Sequence, residues 1–420
     1  MSFFLRSMLF AVLICGTLAA QDAAQPVNLT MGYLKDSRLP GISDADLAII
    51  VAEAKKTLDM KFGTENLNFV NKGQQPIEGF FAKYLNRKDA YYTNLNRGRL
   101  KFFVQNDYTA LTPQILGFLR QWKVWDLADF FPEKKAELKT YEQVLPELMK
   151  GYFEKEKFLE GLKLAGGTDL VARKNNDYQS YINWMATMRN QDQFDLVVCN
   201  TFIVYDDMAH PYPHTALRFA KVGGSSFESP KRPAFDGGSS MLNLFEMLTD
   251  LEYFKTSGQR DKISRETWDQ VIGAYILAHE LGHMIYLIPD VYNHDKGCLM
   301  DSSHENLDYY EGYKLLQKFP EPCSKCVPYV DARNFRFSAD AKAKSGDLSG
   351  AIGDYKVSMK MTPLNLDCGY KQLMAKIEVK IALCYQGMTD AASARDYCRR
   401  ALADDPENAD AKALAVRLGQ

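Results

Sequence analysis

Two histidines bracket a glutamate in His279-Glu280-Leu281-Gly282-His283. At i and i+4 the imidazoles share one helix face, one turn apart, so both can reach a single zinc ion. Glu280 between them is placed to take a proton from a water that the zinc activates. The flanking run VIGAYILAHELGHMIYLI, Val271 to Ile288, carries no other ionisable side chain apart from tyrosine. A helix apolar on all sides is a buried helix. Two imidazoles and a carboxylate buried in it are costly unless a metal and its water offset the desolvation. Thr267, with Gln270 three residues on, reads as the helix cap. Pro289-Asp290 stops the helix, and polar sequence comes after it, which argues against a membrane span.

A catalytic zinc normally takes three protein ligands. The segment after the helix offers His294, Asp290 and Asp295. Imidazole is the commoner neutral ligand, so His294 is the expected third ligand, with Asp290 as the alternative. Downstream stand Cys298 and the pair Cys323 and Cys326. These cysteines could close a structural zinc site with His294 as fourth ligand, leaving Asp290 to complete the catalytic site. They could equally form a disulfide. A different class of zinc hydrolase would draw its third ligand from a later helix, where Glu305, Asp308 and Glu311 are available. All six histidines lie between His210 and His304. His210 and His214 read as loop residues near a strand edge.

The set His279, Glu280, His283, Cys298, Met300, Cys323 and Cys326 resembles the metzincin metallopeptidases, and among them the archaemetzincins. That family shows H-E-x-x-H, a downstream histidine, then C-x-M and later C-x-x-C. The resemblance implies a metzincin-like zincin fold, a turn at Met300 beneath the zinc, peptide-bond hydrolysis, and a second, structural zinc held by cysteines. Two departures stand out. The family's glycine three residues after the second histidine is Tyr286 here. The interval from His283 to Cys298 is longer, so His294 does not fall at the family's position. Pro289-Asp290-Val291-Tyr292 instead resembles metzincin-like peptidases that use aspartate as third ligand. The resemblance covers roughly 195–330, and by pattern reaches 29–70.

The elements that must hold this site suggest an α+β fold: a catalytic domain over 27–330, a helical insertion at about 82–190, and an all-α repeat domain at 331–420. Leu29–Leu34 reads as a strand. Ser43 caps a helix over Asp44–Phe62, with Leu47, Ile50, Val51, Ala54 and Leu58 on one face and Gly63 as its stop. Leu67–Val70 reads as the next strand. Phe194–Tyr205 reads as another, lying beside the cleft and pairing with an extended substrate. Val222–Ser240 is rich in Gly, Ser and Pro and reads as plain loop, lacking the spacing and the lysine of a phosphate loop. Tyr292, Tyr309 or Tyr310 could assist at the oxyanion. In the C-terminal stretch Ala339, Gly346, Ala351, Tyr355 and Pro363 recur as Ala382, Gly387, Ala394, Tyr397 and Pro406, which resembles tetratricopeptide repeats with a longer connection at Leu364–Gln372. Such a domain suits a peptide or protein partner.

Composition is that of a soluble globular chain, 46% hydrophobic and 25% charged. A net charge of −2 without basic runs argues against nucleic acid and anionic membranes. Residues 1–20 read as a signal peptide: Arg6, an apolar run Ser7–Leu18 and small Ala19-Ala20. That run is too short to span a bilayer comfortably, so a secreted or periplasmic protein with no remaining membrane span is expected. Seven cysteines then remain, an odd number that leaves at least one thiol unpaired within the chain. The expected function is zinc-dependent hydrolysis of peptide or protein substrates. The alternative is a weak or inactive peptidase-like scaffold acting through its repeats.

Overall fold

The strands β1 (Val27–Lys35), β2 (Leu67–Pro76), β3 (Leu196–Cys199), β4 (Gly224–Phe227) and β5 (Ser239–Asn243) form one mixed sheet in the order β2-β1-β3-β5-β4. The computed structural model describes residues 27–63, 67–86, 131–171, 177–203, 223–227, 238–249, 263–290, 295–301, 309–363 and 370–419, with a few isolated positions between them. β1 runs parallel to β2 and β3, β3 parallel to β5, and β4 antiparallel to β5 at the sheet edge. The pleat sends alternate residues to opposite faces. Leu196 and Val198 of β3 enter one core, and Val197 and Cys199 enter the other. Strands covered on both faces in this way are apolar throughout, as LVVC is.

Helices α1 (Asp44–Phe62), α2 (Ile77–Tyr84), α4 (Tyr181–Asn190) and the short α5 (Phe245–Leu248) pack on the sheet, and α3 (Tyr141–Gly161) lies between α2 and α4 in the chain. α1 begins where Ser43 Oγ accepts from the Asp46 amide at 3.1 Å and ends at left-handed Gly63. Its buried Leu47, Ile50, Ala54 and Leu58 pack with the helix that carries the two histidines, on the same face of the sheet. α2 and α4 cover the other face through Phe80, Phe81, Trp184 and Met188.

Beyond the sheet the chain is helical: α6 (Arg265–Val271), a π-helical turn (Ile272–Leu277), α7 (Ala278–Tyr286), α8 (Tyr309–Lys318), α9 (Val327–Ser345), α10 (Leu348–Met361), α11 (Tyr370–Gly387), α12 (Ala391–Asp404) and α13 (Ala409–Arg417). The recurrent alanines Ala339, Ala351, Ala382 and Ala394 are all fully buried, the first three in the cores between the helices. The molecule is thus α+β, with its C-terminal half mostly helical. Among the described residues no helix is long and apolar enough to cross a membrane.

Two expected elements differ. Of the strand expected over Phe194–Tyr205, the described residues, 194–203, form strand only at Leu196–Cys199. Asn200 ends it: its Oδ1 accepts from the Asp36 amide at 2.7 Å and its Nδ2 donates to the Pro40 carbonyl at 2.8 Å, bonds that compete with the ladder. The stretch expected to be plain loop supplies β4 and the start of β5. Gly-Ser-Ser-Phe has little strand propensity, and pairing with β5 forms the strand instead.

Candidate metal centre

The helix bearing the two histidines starts earlier than Thr267. Ser264 is its cap and accepts from the Thr267 amide at 3.1 Å. It then widens into the π turn Ile272–Leu277 immediately before His279. At Gly273 a Cβ would stand 2.2 Å from the Ile50 carbonyl, so the backbones of this helix and α1 touch. That contact sets how deep His279 and His283 sit over the sheet.

His279 Nε2 and His283 Nε2 are 3.0 Å apart. Asp290 Oδ1 lies 3.2 Å from the first and 3.4 Å from the second. Each imidazole has its Nδ1 on a backbone carbonyl, His279 on Leu299 at 2.8 Å and His283 on Ile288. A carbonyl only accepts, so each Nδ1 carries the proton and each Nε2 turns a lone pair inward. Three acceptors therefore converge, and only a cation can close them: a proton on one imidazole or a metal ion. Burial lowers the His279 pKa, but the hydrogen bond and charge of Asp290 outweigh it and leave it raised to about 9. Burial would likewise raise the Asp290 carboxyl, and the two imidazoles hold it far below the usual carboxylate range. A tetrahedral zinc with bonds of about 2.05 Å needs donors about 3.3 Å apart. The three measured separations straddle that spacing, so the residues fit the metal. The half-exposed Asp290 leaves one side of the cluster facing solvent.

Glu280 is buried, and burial raises its pKa. Ser226 of β4 donates across to it. The hydroxyl is 2.8 Å from the Glu280 carbonyl and 3.3 Å from Oε2. Ser240 of β5 joins through the same carbonyl at 3.1 Å. A Cβ at Gly224 would stand 2.5 Å from Glu280 Cγ, so β4 passes the carboxylate where only glycine fits. Neither Ser226 nor Gly224 was readable as a site residue. The missing signal was the pairing of β4 with β5.

Cys298, Leu299 and Met300 tie three things together. The Leu299 carbonyl takes His279. Met300, fully buried, lies under Gly282, where a Cβ would stand 2.5 Å from its Sδ. Cys298 joins Cys323 and Cys326 in a buried cluster whose donor atoms lie within 4.8 Å of one another. The described cysteines are free thiols. Cys298 Sγ and Cys326 Sγ are 3.6 Å apart, near the about 3.8 Å separation of two sulfurs on one zinc. Lys61, buried on α1, donates to the Phe319 and Glu321 carbonyls and pins the segment leading to Cys323.

The structure brings Asp290 to the imidazoles. His294, the expected third ligand, lies outside the described residues, as do His210, His214, Tyr292, Glu305 and Asp308. Asp295 is turned away, accepting from the Ser324 amide and hydroxyl. Glu311 is on the surface, paired with Lys314. Tyr309 sits at the margin, its hydroxyl 3.5 Å from Glu246 and close to Gly223. β3 cannot pair with a substrate as expected, because β1 and β5 occupy both its edges. Among the described residues β4 is paired on one side only. No family model, no curated protein and no solved structure matches this chain.

Proposed function

We propose that this chain is an exported zinc metallopeptidase of metzincin type, hydrolysing peptide bonds at the centre formed by His279, His283 and Asp290, with Glu280 as base. One observation carries the reading: three inward-facing acceptors at tetrahedral spacing, two on a buried helix and the third, Asp290, just past its end. Asp290 takes the role first expected of His294. A zinc ion bound there supplies Lewis acidity, polarising the scissile carbonyl and making a water easier to deprotonate.

The chain's own residues do the rest. The two carbonyl-anchored imidazoles and Asp290 hold the ion. Burial makes the Glu280 carboxylate a stronger base, and the Ser226 hydroxyl fixes its direction. Glu280 takes the water proton and returns it to the leaving amine. The edge of β4 that is unpaired among the described residues lies beside Glu280 and suits an extended peptide added as a further strand. The cysteine cluster fits a second, structural zinc that anchors the Leu299–Met300 turn beneath the first. The helices from Val327 onward fit a tetratricopeptide-like domain that holds a protein partner.

The test is metal analysis with peptide cleavage. Purified protein should carry zinc, lose cleavage of an unfolded protein substrate on chelation, and regain it with zinc. Glu280→Gln should keep the metal and lose about 10²–10⁴-fold in turnover. Cleavage that survives chelation or Glu280→Gln would sink the zinc mechanism, and a metal-loaded chain that cleaves nothing would favour the scaffold.

A further inference from the structure

Resting on that metal-centre reading, we propose that the C-terminal helical region is a working part of the site: it clamps Leu287, and thereby fixes where Asp290 and the Ile288 carbonyl meet the imidazoles. The helix α7 stops at Leu287 in a left-handed conformation, φ 56 and ψ 27. A helix stop of this shape ordinarily takes glycine, because a Cβ crowds the following carbonyl. A leucine held there needs an external restraint on its side chain.

The helical region supplies it. Leu287 packs against the buried core of α9, α10 and α11, which includes Ala339, Leu373 and Ile377. It lines the crevice between the two regions together with Tyr329, Arg336, Pro363 and Leu373. Tyr286 just before it is buried between Phe62 of α1, with ring centroids 5.0 Å apart, and the Arg333 guanidinium of α9, 4.9 Å from its ring. Residues 286 and 287 are thus wedged between the catalytic core and the helical region.

The metal site comes directly after this wedge in the chain. Ile288 gives its carbonyl to His283, and Asp290 meets both Nε2 atoms. Had the helix continued, Asp290 would lie about 10 Å further along the axis than His283, out of reach. The left-handed turn brings it back, and the packing of Leu287 holds the turn.

The full chain tests this through Leu287→Gly, Leu287→Met and, on the far side of the crevice, Leu373→Ala. Zinc affinity is read by competition with a chromophoric chelator. Cobalt substitution reports the coordination, sulfur charge-transfer bands separating the cysteine cluster from the imidazole site. Leu287→Gly and Leu373→Ala should each weaken metal binding at the imidazole site about 10-fold or more and alter its cobalt spectrum, while Leu287→Met keeps both. If Leu287 is only a helix stop, glycine will bind metal as well as leucine or better, and the proposal falls. Unchanged affinity in Leu373→Ala overturns it as well. A wild-type chain that takes up no metal at the imidazoles removes the metal-centre reading itself, and the proposal with it.

Discussion

The Asp290 carboxylate sits within 3.4 Å of both Nε2 atoms while half its side chain meets solvent. On the proposed reading, removing it therefore disturbs metal binding more than the fold. Asp290→Ala should lower zinc affinity at this site by at least about 10²-fold, beyond what loss of an outer partner costs, while His294→Ala binds zinc there nearly as wild type does. Zinc titration of the two variants checks this, and the opposite result would return the third position to His294. Ser226 acts one step further out. Its hydroxyl bonds the Glu280 carbonyl and carboxylate and the Ser240 hydroxyl. Ser226→Ala should cut kcat about 10-fold with KM little changed, as for a group that orients the base. A KM effect of the same size would instead place the hydroxyl in substrate binding.

Helices and strands place these groups by two close approaches of different stiffness. At Gly273 an added methyl meets the Ile50 carbonyl, which is backbone and cannot step aside. At Gly282 it meets the Met300 thioether, a flexible side chain. Gly273→Ala should therefore cost about 1–3 kcal/mol in denaturant unfolding, and Gly282→Ala less, with its effect falling on activity through the displaced Met300. Equal unfolding costs would show that Met300 is as fixed as backbone. A similar contrast, between local and distant causes, separates the elements legible in the sequence from those that were not. Ser43, Gly63 and the apolar face of α1 are local signals, and that helix was legible from end to end. The pair of histidines and the cysteine set were legible because helix spacing and motif carry them. β4 was not, since Gly-Ser-Ser-Phe becomes a strand only by pairing with residues a dozen or more positions away. The approach of Asp290 to the imidazoles was not legible, because it follows a left-handed Leu287 that no local rule expects.

For the whole molecule, two buried carboxyls tie stability to pH. Asp269 on α6 and Glu378 on α11 are almost fully buried, and burial raises each to about 7, against the opposing charge of Arg265 and Arg400. A carboxyl whose folded pKa is raised favours the fold while protonated. Its contribution is whole below about pH 4 and is lost as pH rises through about 7. Stability should therefore fall between pH 4 and 8 from this source. Glu378→Gln, which mimics the protonated acid, should stabilise at pH 8 by about 1–3 kcal/mol and change little at pH 4.5. Glu378 lies in the helical region, far along the chain from the imidazoles. If the wedge at Tyr286 and Leu287 makes the two regions one cooperative unit, Glu378→Gln must also raise the temperature at which the cobalt-substituted site loses its absorption at pH 8. A site signal that melts at the unmutated temperature, while the helices melt later, would show two independently unfolding bodies.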